Sequence, residues 1–389
     1  MSDMMAARRE GGGNGAGPAA YEPGAGESRS GNAQDKKEKK KVVALLSGGL
    51  DSQLAVRMMQ DQGFEVSAVA IKTPFCDFDC GRGCGFEIRE RADDLNVDLK
   101  TVYLGDEYVE MLKNPKYGRG AGFNPCIDCR AMMFGAAKKR MEEIGAEFVI
   151  SGEVLGQRPM SQHGPALRTI EKESRLEGRI VRPLSAALLP ATDPERDGLI
   201  RREDMGTIRG RTRRAQLRMA EQYAIEDPPN AGGGCLLTDP QFGRKTRDLF
   251  DHTETPTIND IDLLKVGRHF RFDEMTKLVT GRNKDENGVI SALALPGDVL
   301  LEARDHMGPV SVIRGDSGGG AIADYHVSLA ASITLRYSDA PKGQDAKWAV
   351  TVRRVRGGGE DGGGDPAAAG RVVHAEPAAD GSYARFRIK

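Results

Sequence analysis

Apolar runs and amphipathic stretches alternate through the first part of the chain. Lys41–Leu46 is a short apolar run of the kind found in buried strands, and Asp51–Gln62 then places apolar residues at helical spacing. Further strands are predicted at Glu65–Ile71, Asp98–Leu104 and Glu147–Ser151, with helices at Glu87–Leu95 and Ile127–Ile144. This alternation predicts an α/β domain in which a parallel sheet carries helices on both faces.

A different pattern begins near Asp260, where short apolar runs are separated by turns. It predicts a second, smaller, β-rich α+β domain. We divide the chain into a tail at 1–40, a first domain at 41–165, a helical extension at 166–257 that completes it, and a C-terminal domain at 258–389. The tail is rich in Gly, Ala, Ser and Asn and is predicted to be disordered, and a Gly-rich loop is expected at 357–370.

The composition is that of a globular chain: 29% of the 389 residues are charged and 39% are hydrophobic. No run approaches the roughly 18 apolar residues of a membrane span, and the N-terminus lacks an apolar signal-peptide stretch. We therefore expect a cytoplasmic protein with no membrane partner. Because the formal net charge is −1, a nucleic-acid surface would require local clustering of basic residues.

Candidate phosphate chemistry lies at the turn between the first strand and the first helix, Ser47–Ser52. Its two glycines allow the backbone to approach an anion closely, and the helix N-terminus presents free N–H groups. The chain contains no Gly-Lys dipeptide, so this is not a Walker loop. The residues after Ile71 and those at Gly152 also follow predicted strands, where ligands of parallel sheets bind.

The sequence Ser-Gly-Gly-Leu-Asp-Ser resembles the signature of the PP-loop ATP pyrophosphatases, which cleave ATP to AMP and pyrophosphate and activate a carbonyl oxygen as its adenylate. The resemblance implies ATP and Mg²⁺ as cofactors. Amide synthetases, lysidine synthases and thiolases share this loop, so it leaves the acceptor open. The residues expected at the nucleotide site are Ser47, Gly48, Gly49, Leu50, Asp51 and Ser52, with Ile71, Gly152 and Gln157 from later segments.

Most of the six cysteines fall in two tight clusters. Cys126 and Cys129 form a CxxC pair, and Cys235 follows far downstream after three glycines. Three thiolates cannot close a tetrahedral zinc site unaided, but they can hold a [4Fe–4S] cluster by three irons and leave the fourth open. A structural zinc or plain thiols are the alternative interpretations.

This cysteine pattern, downstream of an SGGxDS loop, resembles the iron–sulfur-dependent tRNA thiolation enzymes. Ser151–Gln157, followed by Ser161-Gln162, is similar to a stretch of the tRNA 4-thiouridine synthetases, although Arg158–Met160 interrupts the usual spacing. The tRNA 2-thiouridylases are more distant relatives with a similar pair of cysteines. The resemblance covers about residues 41–240. It leaves two sulfur carriers open: a cluster, or a persulfide mechanism that uses Cys126 and Cys235 without one.

Three further cysteines, Cys76, Cys80 and Cys84, follow the second predicted strand. The glycines between them indicate a loop, and the position after a strand indicates that this loop borders the nucleotide site. A second metal site is one interpretation, and free thiols on an active-site loop are the other.

Seven arginines fall within residues 201–218, against one glutamate and one aspartate. Arginine suits phosphate recognition through its planar fork, so a tRNA-backbone surface is predicted, with a solvated helix as the alternative. The candidates are Arg209, Arg211, Arg213 and Arg214. Residues 258–350 resemble the small RNA-binding module of NFACT proteins, which makes Arg268 and Arg282 candidate RNA contacts.

Together these patterns predict an ATP-dependent tRNA sulfurtransferase. A uracil carbonyl, at C2 or C4, would be adenylated and its oxygen replaced by sulfur. The predicted catalytic set is Cys126, Cys129, Cys235 and Asp51, with Asp128 as a candidate base. Sulfur would come from a cysteine desulfurase or from sulfide, and a homodimer is one compatible assembly. The rival interpretations are a PP-loop ligase of lysidine or amide type, and a nucleotide- and RNA-binding iron–sulfur sensor without catalysis.

Overall fold

The computed structural model describes residues 39–76, 86–226, 228, 235–315, 322–342, 346–356 and 370–389. Apart from its last two positions, the tail predicted to be disordered lies outside these residues. Cys80, Cys84 and the Gly-rich loop up to residue 369 also lie outside them. Within the described part of the chain, no helix is both long and apolar enough to cross a membrane.

Strands alternate with helices as far as residue 181, and a second set of strands begins at residue 268. The strands are β1 Lys41–Leu45, β2 Glu65–Lys72, β3 Asp98–Tyr103, β4 Val149–Ser151, β5 Ile180–Val181, β6 Arg268–Arg271, β7 Lys277–Thr280, β8 Val299–Ala303, β9 Val310–Arg314, β10 Trp348–Arg354 and β11 Arg371–Ala375. The helices are α1 Leu50–Asp61, α2 Phe86–Asp94, α3 Asp106–Lys113, α4 Cys126–Ile144, α5 Gly164–Ser174, α6 Asp193–Arg196, α7 Arg214–Gln222, α8 Pro240–His252, α9 Ile258–Leu264, α10 Lys284–Leu293 and α11 Asp324–Arg336. The hydrophobic pattern does not predict α3 or β5, because they are only eight and two residues long.

The first sheet is parallel, with strand order β3-β2-β1-β4-β5. On one side β1 pairs with β2, which sets Leu45 opposite Val69, and on the other it pairs with β4, which sets Leu45 opposite Ser151. The chain therefore adds strands outward from β1 in one direction and then in the other. Ligands of such sheets bind in the crevice beyond the carboxyl ends of the strands where the order reverses, here between β1 and β4.

Helices cover both faces of the first sheet, as predicted. Val42 of β1 packs with Leu54 of α1 in the apolar cluster on one face. Val43 packs on the other face with Phe134 of α4 and Ile170 of α5. Because alternate side chains of β1 enter two different cores, the strand is apolar throughout its length.

The second sheet is antiparallel, with strand order β11-β10-β8-β9-β7-β6. Helix α11 packs on one face through Val327 and Ile333, and α10 packs on the other through Ile290. This is the β-rich α+β domain that the sequence predicts.

Helices α8 and α9 lie between the two sheets and form ion pairs with the second one. We call this set of ion pairs the interdomain junction. The Asp248 carboxylate of α8 accepts a 2.8 Å hydrogen bond from Arg271 and lies 3.3 Å from the Lys277 ammonium. The Arg314 guanidinium of β9 donates to Asp260 of α9 at 2.8 Å. Through Asp248, the second sheet is therefore joined to the helical extension by side-chain contacts as well as by the chain.

Candidate nucleotide and cysteine site

The Ser47–Ser52 turn has the backbone of an anion-binding loop. Gly48 has a φ of +76°, which favours glycine, and Gly49 is the N-cap of α1. The Ser52 hydroxyl donates to the Gly49 carbonyl at 2.7 Å, and the Ser47 hydroxyl oxygen lies 3.3 Å from that of Ser52. The two serines thus close the turn and leave the N-terminus of α1, with its partial positive charge, at the crevice.

Asp51 is the acidic group of this loop. The Gln157 side-chain amide donates to Asp51 Oδ2 at 2.8 Å, whereas Asp51 Oδ1 is buried without a hydrogen-bond partner. A buried carboxylate oxygen in this state is costly unless a ligand completes it. Carboxylate oxygens are preferred Mg²⁺ ligands. The residues present therefore fit Mg²⁺–ATP, in which Asp51 would hold the cation and the loop would hold the phosphates.

Gly152 brings the end of β4 against the loop. A Cβ placed on Gly152 would lie 2.4 Å from the carbonyl carbon of Asp51 and 2.5 Å from the Ser52 nitrogen. Any side chain at this position would push the loop away from the sheet. Leu50 points into the core and Ile71 is half-buried between two apolar clusters, so both shape the site through their backbone.

Cys126 and Cys129 lie in the first turn of α4. The sequence predicts a helix from Ile127, and α4 begins one residue earlier, at Cys126, with Pro125 at its N-cap. The Asn124 amide donates to Cys126 Sγ at 3.0 Å. Cys129 packs in an apolar cluster that includes Tyr108, so the two thiols have different surroundings.

Cys235 directly precedes a short 3-10 helix. The Phe123 N–H donates to the Leu237 carbonyl at 3.0 Å, and a Cβ on Gly122 would lie 2.4 Å from the same oxygen. The segment that carries Cys235 is therefore packed against the segment that leads into Cys126. The structure brings all three predicted cysteines into one region.

The surroundings of Cys129 and Cys235 favour the protonated form of both thiols. Burial raises the pKa of Cys129, and a hydrogen bond from Tyr108 and the charge of Arg130 oppose the rise. Burial and the nearby Cys129 raise the pKa of Cys235 to about 12. Cys235 still presents surface to solvent, which would moderate that rise. A nucleophilic thiolate here requires a ligand, a cation or a proton acceptor.

The three thiols do not form a metal-ligand group. Within the described ranges there is no set of three or more His, Cys, Asp or Glu side chains that could hold a metal ion. Cys126, Cys129 and Cys235 therefore do not converge on a single metal ion, and the [4Fe–4S] cluster stays a prediction. Of the second predicted set only Cys76 is described, in a turn where the Thr73 N–H lies 3.4 Å from its sulfur.

Residues 155–162, which we call the connecting segment, touch both the phosphate loop and the cysteine region. At one end Gln157 bonds Asp51. Further along, Met160 Sδ lies 3.5 Å from the Asn124 amide nitrogen, which also bonds Cys126. Met160 belongs to the three residues that interrupt the spacing usual in 4-thiouridine synthetases. The interruption therefore supplies a contact to the cysteine region.

A buried ion network, which the sequence does not predict, lies next to the start of the connecting segment. Glu153 and Arg182, each 3% exposed, pair at 3.0 Å, and Arg182 also bonds Glu171 at 2.5 Å. Arg130, next to Cys129 in the chain, lies 3.6 Å from Glu153. Arg182 follows Glu153 by 29 residues, and only the pairing of β4 with β5 brings them together.

Asp128 has a structural role in this fold. Its carboxylate accepts hydrogen bonds from the backbone N–H groups of Lys116 at 2.9 Å and Tyr117 at 3.1 Å. Since both carboxylate oxygens hold the preceding loop, we do not retain Asp128 as a candidate base.

The arginine-rich segment runs beside the connecting segment. Arg209 pairs with Leu155 in a parallel β-bridge, and the Gly210 N–H donates to the Leu155 carbonyl at 2.8 Å. Of the seven arginines at 201–218, five are exposed (Arg201, Arg209, Arg211, Arg214 and Arg218) and two are half-buried (Arg202 and Arg213). A basic edge therefore borders the crevice.

The two candidate RNA contacts of the second sheet are engaged within the protein. The Arg268 guanidinium lies 4.3 Å from the Tyr337 ring centroid and donates to the Gly281 carbonyl at 3.0 Å. Arg282 donates to the Glu286 carboxylate at 2.8 Å. Either arginine would have to share or leave these partners to contact RNA.

A parallel sheet with a Gly-rich anion loop at its strand-order reversal is the arrangement of the PP-loop fold. Residues 40–172 match the family described as the tRNA methyl transferase HUP domain. Residues 267–359 match the NFACT protein RNA binding domain. At the level of these two domains, the resemblances predicted from the sequence are confirmed.

Individual relatives are similar to parts of the chain. The tRNA-specific 2-thiouridylase MnmA of Frankia casuarinae is 23% identical over 252 residues, which cover 59% of this chain and 64% of that protein. MnmA of Clostridium acetobutylicum is 27% identical over 54% of this chain and 63% of that protein. MnmA of Leptospira biflexa is 28% identical over 30% of this chain and 34% of its own length. The chain thus spans between one third and two thirds of these curated relatives.

Two solved structures share parts of the arrangement. A 4-thiouridine synthetase–RNA complex with bound ATP is 19% identical with a TM-score of 0.30, over 58% of this chain and 52% of that chain. A predicted subunit of tRNA methyltransferase from Methanocaldococcus jannaschii is 15% identical with a TM-score of 0.27, over 36% of this chain and 67% of that chain. These scores are too low to relate the function of this chain to either structure.

Proposed function

We propose that the protein is an ATP-dependent tRNA sulfurtransferase that adenylates a uridine carbonyl and replaces its oxygen with sulfur. The observation that carries the proposal is the connecting segment, which joins a phosphate loop to a thiol region. Asp51, with one oxygen free for a cation, marks the first half-site, and Cys126 marks the second. The relatives named as tRNA thiolases and the match to an RNA-binding family support tRNA as the acceptor.

In the first step, the loop and the α1 N-terminus bind the ATP phosphates. The uracil carbonyl oxygen attacks the α-phosphorus and pyrophosphate leaves, so the former carbonyl oxygen becomes part of an AMP leaving group. The donors of the loop stabilise the charge that develops on the phosphates. Gln157 holds Asp51 in place for the cation.

In the second step, the terminal sulfur of a persulfide on Cys126 attacks the adenylated carbon, and AMP leaves with the oxygen. The Cys235 thiolate then attacks the Cys126 sulfur and breaks the S–S bond of the persulfide. This leaves the thiocarbonyl on the base and a disulfide between the two cysteines. A thiol reductant restores both thiols, and a cysteine desulfurase reloads Cys126.

The proposal is tested by incubating the protein with tRNA, ATP and a cysteine desulfurase, and by measuring pyrophosphate and thionucleoside separately. Asp51→Asn should lower both by about 100-fold or more, because the cation loses its ligand. Cys126→Ser should lose the thionucleoside and keep pyrophosphate release. Asp93→Asn makes the same change at an exposed position and should match wild type. Wild type that releases no tRNA-dependent pyrophosphate would overturn the proposal.

The competing sulfur carrier is the [4Fe–4S] cluster, and anaerobic purification with iron and sulfide assays separates the two. A persulfide carrier predicts no stoichiometric iron and activity that depends on Cys126 and Cys235 but survives Cys129→Ala. About four irons per chain in wild type, lost in each of the three single alanine variants, would establish the cluster instead. Release of pyrophosphate with tRNA but without any thionucleoside, unchanged by Cys235→Ala, would favour a PP-loop ligase.

A further inference from the structure

The loop that leads into α4 holds an asparagine amide between two sulfur atoms. Asn124 is 9% exposed, and its Nδ2 lies 3.0 Å from Cys126 Sγ and 3.5 Å from Met160 Sδ. An amide NH₂ group has two hydrogens to donate, and thiol and thioether sulfurs are acceptors. Each sulfur therefore receives one hydrogen of the same amide.

Two glycines leave the space that this amide occupies. A Cβ on Gly120 would lie 2.6 Å from Asn124 Nδ2 and 2.3 Å from Met160 Sδ, and a Cβ on Gly122 would lie 3.2 Å from Asn124 Oδ1. The Gly120 N–H also donates to the Asn124 carbonyl at 2.9 Å. The backbone of the loop thus passes close to the Asn124 side chain at both glycines.

We propose that Asn124 is the positioning residue for sulfur transfer, whose amide N–H holds the Cys126 sulfur in register with the adenylated base and with Cys235. The inference rests on the proposed function and deepens its second step. A hydrogen bond to an anionic sulfur is charge-assisted and stronger than a neutral one. Fixing the sulfur before the attack removes the entropy cost of orienting it in the reaction. Met160, from the interrupting residues, takes the second hydrogen and fixes the plane of the amide.

Asn124→Asp tests the role of the donor, because it keeps the size and shape of the side chain and removes both N–H groups. Thionucleoside formation should fall by about 10- to 100-fold, the effect of losing a hydrogen bond to a charged group. Pyrophosphate release with tRNA should stay within about twofold of wild type, which also shows that the variant folds. Asn114→Asp makes the same change at an exposed position and should leave both measurements unchanged.

Three outcomes would overturn the inference. Asn124→Asp that forms thionucleoside at the wild-type rate would show that the donor is not needed. If thionucleoside formation and pyrophosphate release fell equally in both Asn124→Asp and the uncharged Asn124→Ala, the residue would act only by stabilising the fold. Cys126→Ser that still forms thionucleoside would remove the sulfur that Asn124 is proposed to hold, while leaving the adenylation step of the proposed function intact.

Discussion

Single residues decide how closely two backbone segments can meet at the phosphate loop. Gly152 lies at the end of β4, and the peptide between Asp51 and Ser52 occupies the space that its side chain would need. The contact holds the loop, and with it Asp51, against the sheet. The geometry of the nucleotide site therefore depends on a residue that has no side chain.

Gly152→Ala is predicted to damage the site and the fold together. The added methyl group forces the loop to move, so ATP affinity should fall at least about tenfold and stability by roughly 1–3 kcal/mol. Gly135→Ala is the matched control, because a Cβ there meets nothing within 4 Å. This control should keep its ATP affinity, and its free energy of unfolding should rise by up to about 1 kcal/mol because Ala is favoured over Gly in a helix. Calorimetric ATP titration and urea unfolding of both variants give the comparison, and wild-type affinity in Gly152→Ala would contradict it.

The sequence predicts the residues with chemical motifs and misses those that act through packing. Ser47–Ser52 and Cys126 are recognisable from spacing alone. Asn124 has no such signal, because its importance comes from a cage of two glycines and a methionine from another segment. Arg182 is missed for the same reason, since only the completed sheet brings it to Glu153.

At the scale of elements, α4 carries the cysteine pair at its start and contributes to the core along its length. Its first turn carries Cys126 and Cys129, and Phe134 and Met141 enter the apolar cluster beneath the sheet. The buried network of Glu153 and its arginine partners joins α4 to the ends of β4 and β5. Movement of any of these elements would displace the cysteines relative to the phosphate loop.

Glu153→Gln is predicted to destabilise the protein by about 3–5 kcal/mol, because it leaves the buried Arg182 charge partly uncompensated. Glu143→Gln breaks a solvent-exposed pair with Lys100 and should destabilise the protein much less. The free energy of unfolding in urea, measured for both variants, distinguishes the two cases. Equal small losses would show that the buried network adds little to stability.

Element identity is largely readable from the sequence, whereas element order in the sheet is not. The predicted strands of the first sheet agree with β1 to β4 to within two residues at their ends. Periodicity cannot show that β4 returns to the side of β1 opposite β2, and it is this return that creates the crevice. The helix α5 is likewise absent from the predicted elements, although it packs directly on α4.

For the molecule as a whole, the interdomain junction places two lysines in surroundings that disfavour their charge. Burial lowers the pKa of Lys277 to about 8, even though Asp248 opposes the shift. Burial likewise lowers the pKa of Lys245 to about 8, with the charge of Arg282 adding to the effect. The junction is therefore sensitive to pH on the alkaline side of neutrality.

Stability is predicted to gain from Lys277 as pH rises above about 8. Between about 8 and 10.5 the folded protein holds this amine neutral while the unfolded chain keeps it protonated. Unfolding then takes up a proton, so the contribution of Lys277 to the free energy of unfolding increases with pH in this window. In urea unfolding from pH 7 to 10, the free energy of unfolding of wild type should rise relative to that of Lys277→Met. For Lys284→Met, at an exposed position, the free energy of unfolding should change with pH in parallel with wild type. The same parallel change for Lys277→Met would contradict the prediction.

The same junction has a consequence for any RNA that the second sheet binds. On a flexible tether, an RNA-binding domain samples many distances, and its local concentration at the crevice falls as the tether lengthens. Here Asp248 and Asp260 fasten the second sheet to the helices that border the first. A bound RNA would then meet the crevice at one separation only. The protein would then select RNAs by the distance between the part bound to the second sheet and the target nucleotide. RNAs with a different distance would stay unmodified even when they bind equally tightly.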